Sequence, residues 1–193
     1  LRNGRVRELI IDEPSAAAVR TVFEDREGNV WFGGQWEGLT RVWNGWTRRY
    51  SHFEGLEDRI VWSVARGLEG QLWVGTNSGL SVMRDGAFED VVAGADLPHP
   101  NAYTLLPERD ATWIGTRRGV AVLRGDRLET PPELAPMRSA QVNGIVRDRR
   151  GALWFATNQG LHRLTRDGLK SFGPVQGLRD PRTRLLYETR DGR

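Results

Sequence analysis

A short block recurs four times along the chain: Val30-Trp31-Phe32-Gly33-Gly34, Leu72-Trp73-Val74-Gly75-Thr76, Thr112-Trp113-Ile114-Gly115-Thr116 and Leu153-Trp154-Phe155-Ala156-Thr157. Successive tryptophans are 42, 40 and 41 residues apart. That is the period of β-propeller blades, whereas the common helical repeats run at about 33 to 34 residues. The repeat also aligns the chain with itself, so positions that recur can be separated from positions that vary.

Each unit reads as four short strands. In the first, Val19-Arg20-Thr21-Val22-Phe23 is a β-branched and aromatic run, Asp25-Arg26-Glu27-Gly28 a turn, and Val30-Trp31-Phe32 a returning strand. Thr40-Arg41-Val42-Trp43, the hairpin dipeptide Asn44-Gly45 and the run from Trp46 to Tyr50 complete the unit. The same order recurs around Trp73, Trp113 and Trp154, except that the third unit has Glu108-Arg109-Asp110-Ala111 without a first-turn glycine. An altered turn is expected there.

The fold class is therefore all-β, a propeller of four-stranded antiparallel blades. The blades are expected at 14–56, 57–96, 97–137 and 138–178, with 1–13 ending a preceding blade and 179–193 starting a following one. Leu1 to Ile10 matches the end of a third strand, its turn and a fourth strand, and Thr183 to Gly192 matches Val19 to Gly28. A blade shared between the two ends would lack its second strand, and such exposed strand edges invite pairing. The expectation is a segment of a larger propeller whose remaining blades are its first partners.

The tryptophan repeated at one strand position is best explained by packing between neighbouring blades, where burial of one indole is worth roughly 4–6 kcal/mol as an upper estimate. The Gly-Thr that follows it reads as structural too.

Composition narrows the function classes. No apolar run approaches the roughly 20 residues of a membrane helix, so no direct membrane contact is expected. With no cysteine there is neither a disulfide framework nor a thiolate metal site. The net charge of +3 is 28 basic against 25 acidic residues, interspersed, with every base but Lys170 an arginine. Nucleic-acid binders gather their bases on one face. Here only Arg48-Arg49, Arg117-Arg118 and Arg147 with Arg149-Arg150 cluster, and nucleic acid is not expected as a partner.

The run Glu24-Asp25-x-x-Gly28-Asn29-Val30-Trp31-x-Gly33, the Gly-Leu pairs that follow, and the interblade Gly55-Leu56-x-Asp58 and Gly177-Leu178-x-Asp180 resemble the two-component regulator propeller repeat. Gly33-Gly34 and Ala156-Thr157 depart from the Gly-Thr of that family. The resemblance implies a periplasmic, extracytoplasmic sensor region of a bacterial membrane receptor, dimeric in some arrangements, with a histidine kinase or diguanylate cyclase as output. It also implies plant or host polysaccharide fragments as a recurrent ligand class. No output domain lies in this chain, so the signalling role is an analogy.

In such a fold the loops entering the innermost strand, and those joining the second and third strands, open around the central channel. The first mouth-facing position reads Arg20, Trp62, Tyr103, Asn143 and Arg184, while the aligned packing position stays aliphatic as Val22, Val64, Leu105 and Ile145. The second-to-third-strand loops vary likewise, with Trp36, Asn77, Arg117 and Asn158 the candidates. Aromatic faces, amides and arginine suit a small polar or oligosaccharide ligand, neutral or anionic. The bland alternative is that loop tips are polar because they meet water.

No phosphate-cradling motif, nucleophile elbow or paired-histidine metalloprotease pattern is present, and no cofactor or metal is expected. The three histidines, His52, His99 and His162, are scattered. Two alternatives to a non-catalytic sensor remain. A channel-mouth lyase or hydrolase could draw an acid and a base from His52, Glu54 and Asp58. A protein-interaction platform would instead use the blade edges.

Overall fold

The computed structural model describes residues 18–189. Four antiparallel sheets follow one another, each a simple meander of consecutive strands. The first holds β1 (Val19–Glu24), β2 (Val30–Gly34), β3 (Leu39–Trp43) and β4 (Trp46–Tyr50). The second holds β5 (Val61–Arg66), β6 (Leu72–Thr76), β7 (Gly79–Arg84) and β8 (Ala87–Ala93). β9 (Ala102–Pro107), β10 (Thr112–Thr116), β11 (Gly119–Arg124) and the short β12 (Arg127–Glu129) form the third. β13 (Val142–Arg147), β14 (Leu153–Thr157), β15 (Gly160–Thr165) and β16 (Gly168–Phe172) form the fourth. These are four consecutive blades of a β-propeller, with β1, β5, β9 and β13 as neighbouring inner strands.

Turn chemistry explains where strands reverse. Asn44 and Gly45 have φ of 45° and 85°, and Asp85 and Gly86 have 52° and 85°, the double left-handed pattern of two-residue hairpin loops. At the first turn, the amides of Asp25, Gly67 and Asp148 donate to the carbonyls of Asn29, Gln71 and Ala152. In the third blade Glu108 N donates to Ala111 O instead, so the expected altered turn is one residue shorter.

The hydrophobic clusters lie between blades. One joins Trp31, Leu39 and Tyr50 of the first blade to Val61, Leu72 and Val74 of the second. The next joins Leu80 to Ala102, Leu105 and Ile114, with Trp73 packed against it. The third joins Trp113 and Val122 to Val142, Ile145 and Phe155, sealed by Leu134 and Met137 from the 3-10 segment Pro132–Met137. Trp154 is only half-buried and stacks on Phe172 of its own blade at 5.8 Å. Trp73 is likewise half-buried, whereas Trp31 and Trp113 are buried.

The indole N–H has its own job. Trp31 and Trp154 donate to Asp25 and Asp148, six residues earlier, at 2.8 Å, and Trp113 donates to Glu108 at 3.0 Å. Each bond ties the second strand to the turn that feeds it. Burial alone would raise the Asp25 carboxyl, but the hydrogen bonds from Trp31 and Asn29 outweigh it and hold the group below its ordinary range. Arg147 of the fourth blade clamps Glu108 of the third through both carboxylate oxygens, and chiefly for that reason Glu108 also stays low. This is a charge-assisted latch across a blade boundary.

The repeated glycine is set by close approach. A Cβ on Gly33 would meet Thr21 and Val61, on Gly75 Ser63 and the Ala102 carbonyl, and on Gly115 Thr104 and Val142, all inside van der Waals contact. In each pair the first residue is the in-register partner on the blade's own inner strand, and the second belongs to the next inner strand. The fourth blade inverts the sizes, with Ala156 opposite Gly144. The departure from Gly-Thr in that unit is thus a volume-conserving exchange across one rung of the sheet.

Gly75→Ala should therefore destabilise the protein by about 1–3 kcal/mol, because the clash is with backbone that cannot rotate away. Chemical denaturation of the variant measures this, and unchanged stability would show that the strands are not in close contact.

Candidate functional site

Each inner strand carries a β-bulge at the same place. The register with the second strand breaks between Val19 and Thr21, Val61 and Ser63, Ala102 and Thr104, and Val142 and Gly144. The skipped residues are Arg20, Trp62, Tyr103 and Asn143. A bulge leaves its extra residue out of the ladder and re-aims the side chain. The scaffold position just before each bulge is completely buried in three blades, as Val61, Ala102 and Val142, so the re-aimed residue sits on a fixed base.

These four side chains, with Asn158 and Arg184, line one cavity of about 670 Å³ at the end of the inner strands. The Arg20 guanidinium sits over the Trp62 ring, its Cζ 4.0 Å from the centroid, and donates to Gln35 Oε1 at 2.6 Å. Tyr103 meets Trp62 edge-on at 4.5 Å. On the opposite side Gln141 donates to Asn143 Oδ1, and Asn143 donates to Thr183 O, both at 2.8 Å. Gln141 N donates to Asn158 Oδ1 at 2.8 Å. Arg20 and Arg184 are exposed, Trp62, Tyr103 and Asn143 half-buried.

Three other candidates lie outside this lining. Asn77 sits behind Trp62, accepting the indole N–H at 2.7 Å and a hydrogen bond from Asn101. It orients the aromatic wall. Trp36 is 64% exposed on the β2–β3 loop with φ 80°, a conformation that bulky residues rarely hold. Arg117 is exposed on the β10–β11 loop. Sequence reasoning missed Gln141 and Arg182, which also line the cavity. Gln141 immediately precedes a buried valine, a place where the aligned residues Ile60 and Asn101 already vary.

The repeated threonine is structural. Thr76, Thr116 and Thr157 each donate to the carbonyl of the glycine that opens the third strand, at 3.3, 3.0 and 2.7 Å. Thr183 then binds Thr157 through both its amide and its hydroxyl, which fixes 183–185 beside β13 without a strand being assigned there. Beneath this contact His162 is buried between Thr157 and Ser171 Oγ, the latter at 2.8 Å.

The catalytic alternative finds its residues otherwise engaged. Glu54 accepts the Ser51 amide at 2.9 Å, and Asp58 accepts the Ile60 amide at 2.8 Å. Gln176 and Asp180 make the matching bonds to Gly173 and Arg182 in the later connection. His52 packs on Phe53 at 3.9 Å. None of these lines the cavity. Among the described residues no histidine, aspartate and glutamate cluster could hold a metal.

With bulge, cavity and interblade packing in place, the chain can be set beside known proteins. The two-component regulator propeller model matches residues 13–36 and 136–159. Over those two stretches the sequence matches the two-component regulator propeller repeat. The first match ends in the β2–β3 loop at Trp36, and the second runs through the bulge at Asn143 to the Thr157 loop.

Solved structures share the fold. The extracellular domain of a one-component system, BT4673 of B. thetaiotaomicron, superposes with a TM-score of 0.77 at 18% identity, over 95% of this chain and 26% of that one. The extracellular domain of the hybrid two-component system BT3049 from the same organism gives 0.68 at 20% identity, over 83% and 24%. Virginiamycin B lyase of Staphylococcus aureus, in a catalytically inactive H270A form with quinupristin, gives 0.63 at 20%, over 84% and 57%. The repeats here thus span about a quarter of the length of the two extracellular domains. No functionally curated protein matches the sequence.

His162 supplies a pH test of the buried network at the mouth. Burial pushes its pKa below the ordinary histidine value, so the unfolded chain takes up protons first as pH falls below about 6.5. Its contribution to stability is complete above that pH and declines below it. Melting temperature should fall from pH 7 to pH 5, and less steeply in His162→Gln; His99, shifted the same way, leaves a residual slope. Equal slopes in both proteins would contradict the assignment.

Proposed function

We propose that these repeats belong to a non-catalytic, extracytoplasmic sensor propeller of a bacterial signalling receptor, which binds a polar ligand such as an oligosaccharide at the channel mouth. The observation that carries the reading is the convergence of Arg20, Trp62, Tyr103, Asn143, Asn158 and Arg184 on one cavity. Four of them stand on bulges that the fold repeats while the residue type changes. A packing position would keep its residue type, whereas a recognition surface needs different chemistry at each point.

The two matches to the two-component regulator propeller repeat, and fold similarity to extracellular receptor domains, support the signalling part of the proposal. No helix among the described residues is long and apolar enough to cross a membrane, so anchoring would come from elsewhere in a parent receptor. Further blades of that parent are the proposed direct partners, with Trp36 and Arg117 as outer contacts for a longer ligand.

The lyase-like fold similarity raises catalysis as the competing reading. Among the described residues the cavity lining contains no histidine, aspartate or glutamate. These residues therefore supply the lining with no histidine or carboxylate base, which favours binding over turnover.

The test is calorimetric titration with a panel of plant and host oligosaccharides, with chromatography of the mixture afterwards. The expected result is saturable binding with the ligand recovered intact, weakened about tenfold or more by Trp62→Ala. A new product, or binding indifferent to Trp62→Ala in a protein of unchanged stability, would contradict it.

A further inference from the structure

The mouth has an unequal supply of donors and acceptors. Most of its side-chain amide oxygens are taken up internally: Gln35 by Arg20, Asn77 by Trp62 and Asn101, Asn143 by the Gln141 side chain, and Asn158 by the Gln141 amide, with the Gln141 oxygen the exception. The donors are not. Arg20 spends one of its five N–H groups on Gln35, a neutral partner, and forms no ion pair among the described residues. Arg184 likewise has no ion-pair partner among them, and the Asn158 NH2 donates to none.

The charge is equally one-sided. Among the described residues three arginines line the cavity and no carboxylate does. Asp180, outside the lining, is held by Arg182 through the backbone amide, Nε and Nη2 at 2.9–3.0 Å. That pairing neutralises Arg182; Arg184 feels Asp180 only beyond ion-pair distance, and Arg20 has no carboxylate partner among the described residues. Arg20 is also oriented, its guanidinium held over Trp62 and its end fixed by Gln35. A guanidinium fork held in this way suits a carboxylate or sulfate that can accept two parallel N–H bonds.

Resting on the reading of the mouth as a ligand site, we propose that its ligand is an acidic oligosaccharide whose carboxylate or sulfate is received by Arg20 and Arg184, the Trp62–Tyr103 pair forming the wall beside it. A neutral sugar's hydroxyls can donate and accept but bring no charge to offset the arginines. An acidic one brings an anionic acceptor, whose bonds to a guanidinium are charge-assisted.

The probes are trigalacturonate for the carboxylate, a sulfated chondroitin tetrasaccharide for the sulfate, and maltotriose as the neutral control, titrated into the chain by calorimetry. At least one acidic probe should bind about tenfold or more tightly than maltotriose, with affinity falling as salt rises from about 50 to about 300 mM. Which acidic probe binds distinguishes carboxylate from sulfate. Arg20→Gln and Arg184→Gln should each weaken that binding about fivefold or more and flatten its salt dependence. Arg26→Gln, in the turn at the far end of β1, should leave it unchanged.

Equal binding of maltotriose, with the same sensitivity to Trp62→Ala, would overturn the acidic ligand and leave the mouth as the site. An equal loss in Arg26→Gln would reduce the effect to diffuse charge and overturn it as well. Failure of all three probes to bind a cooperatively folded protein would overturn both readings.

Discussion

The structure depends on how closely one inner strand can lie against the second strand of the preceding blade. Gly33, Gly75 and Gly115 allow that approach, and Val61, Ala102 and Val142 of the following blades fill the space a side chain would take. Everything radial follows from it. Tryptophans farther along the same strands then reach interblade cores, and their indole N–H groups bind Asp25, Glu108 and Asp148 at the turns. The Arg147 latch onto Glu108 adds a polar tie at the same boundary. The repeat is conservative at these positions because each one serves two blades at once.

The bulge releases one residue per blade from this rigid stack, which is what the proposed recognition surface uses. It falls between two constrained residues, the buried aliphatic before it and the rung opposite the glycine after it, so its own residue is free of ladder and core. Replacement there costs little in packing. Four successive bulges place a cation, an indole, a phenol and an amide around one mouth. The hydrogen bonds behind them, Asn77 to Trp62 and Gln35 to Arg20, restrict how those groups can move. Binding would then require little side-chain ordering, which is one of the larger costs of association.

Much of this was legible in the sequence because the repeat supplies its own alignment. Strand order, the Asn44-Gly45 hairpin, the shortened third turn and the variable inner-strand position all follow from comparing units. The alternation of residue type at Arg20, Trp62, Tyr103 and Asn143 marked the mouth, although nothing local announces a bulge. The exchange of Ala156 with Gly144 was not legible, since it is a relation across a sheet rung. Nor was the role of Asn77, whose Oδ1 accepts the Trp62 indole N–H, nor the capture of Glu54 and Asp58 by backbone amides. Those depend on which partner a polar group finds in space. Sequence patterns record the group and leave the partner open.

The central claim is that Trp62 at the mouth answers to ligand and the repeated tryptophans Trp31, Trp113 and Trp154 do not. The direct measurement is the 15N indole spectrum of the eight tryptophans, recorded as trigalacturonate and the sulfated tetrasaccharide are titrated in. The account predicts a saturable shift of the Trp62 Nε1–H resonance while those of Trp31, Trp113 and Trp154 stay in place. A stationary Trp62 with movement of the interblade resonances would contradict it.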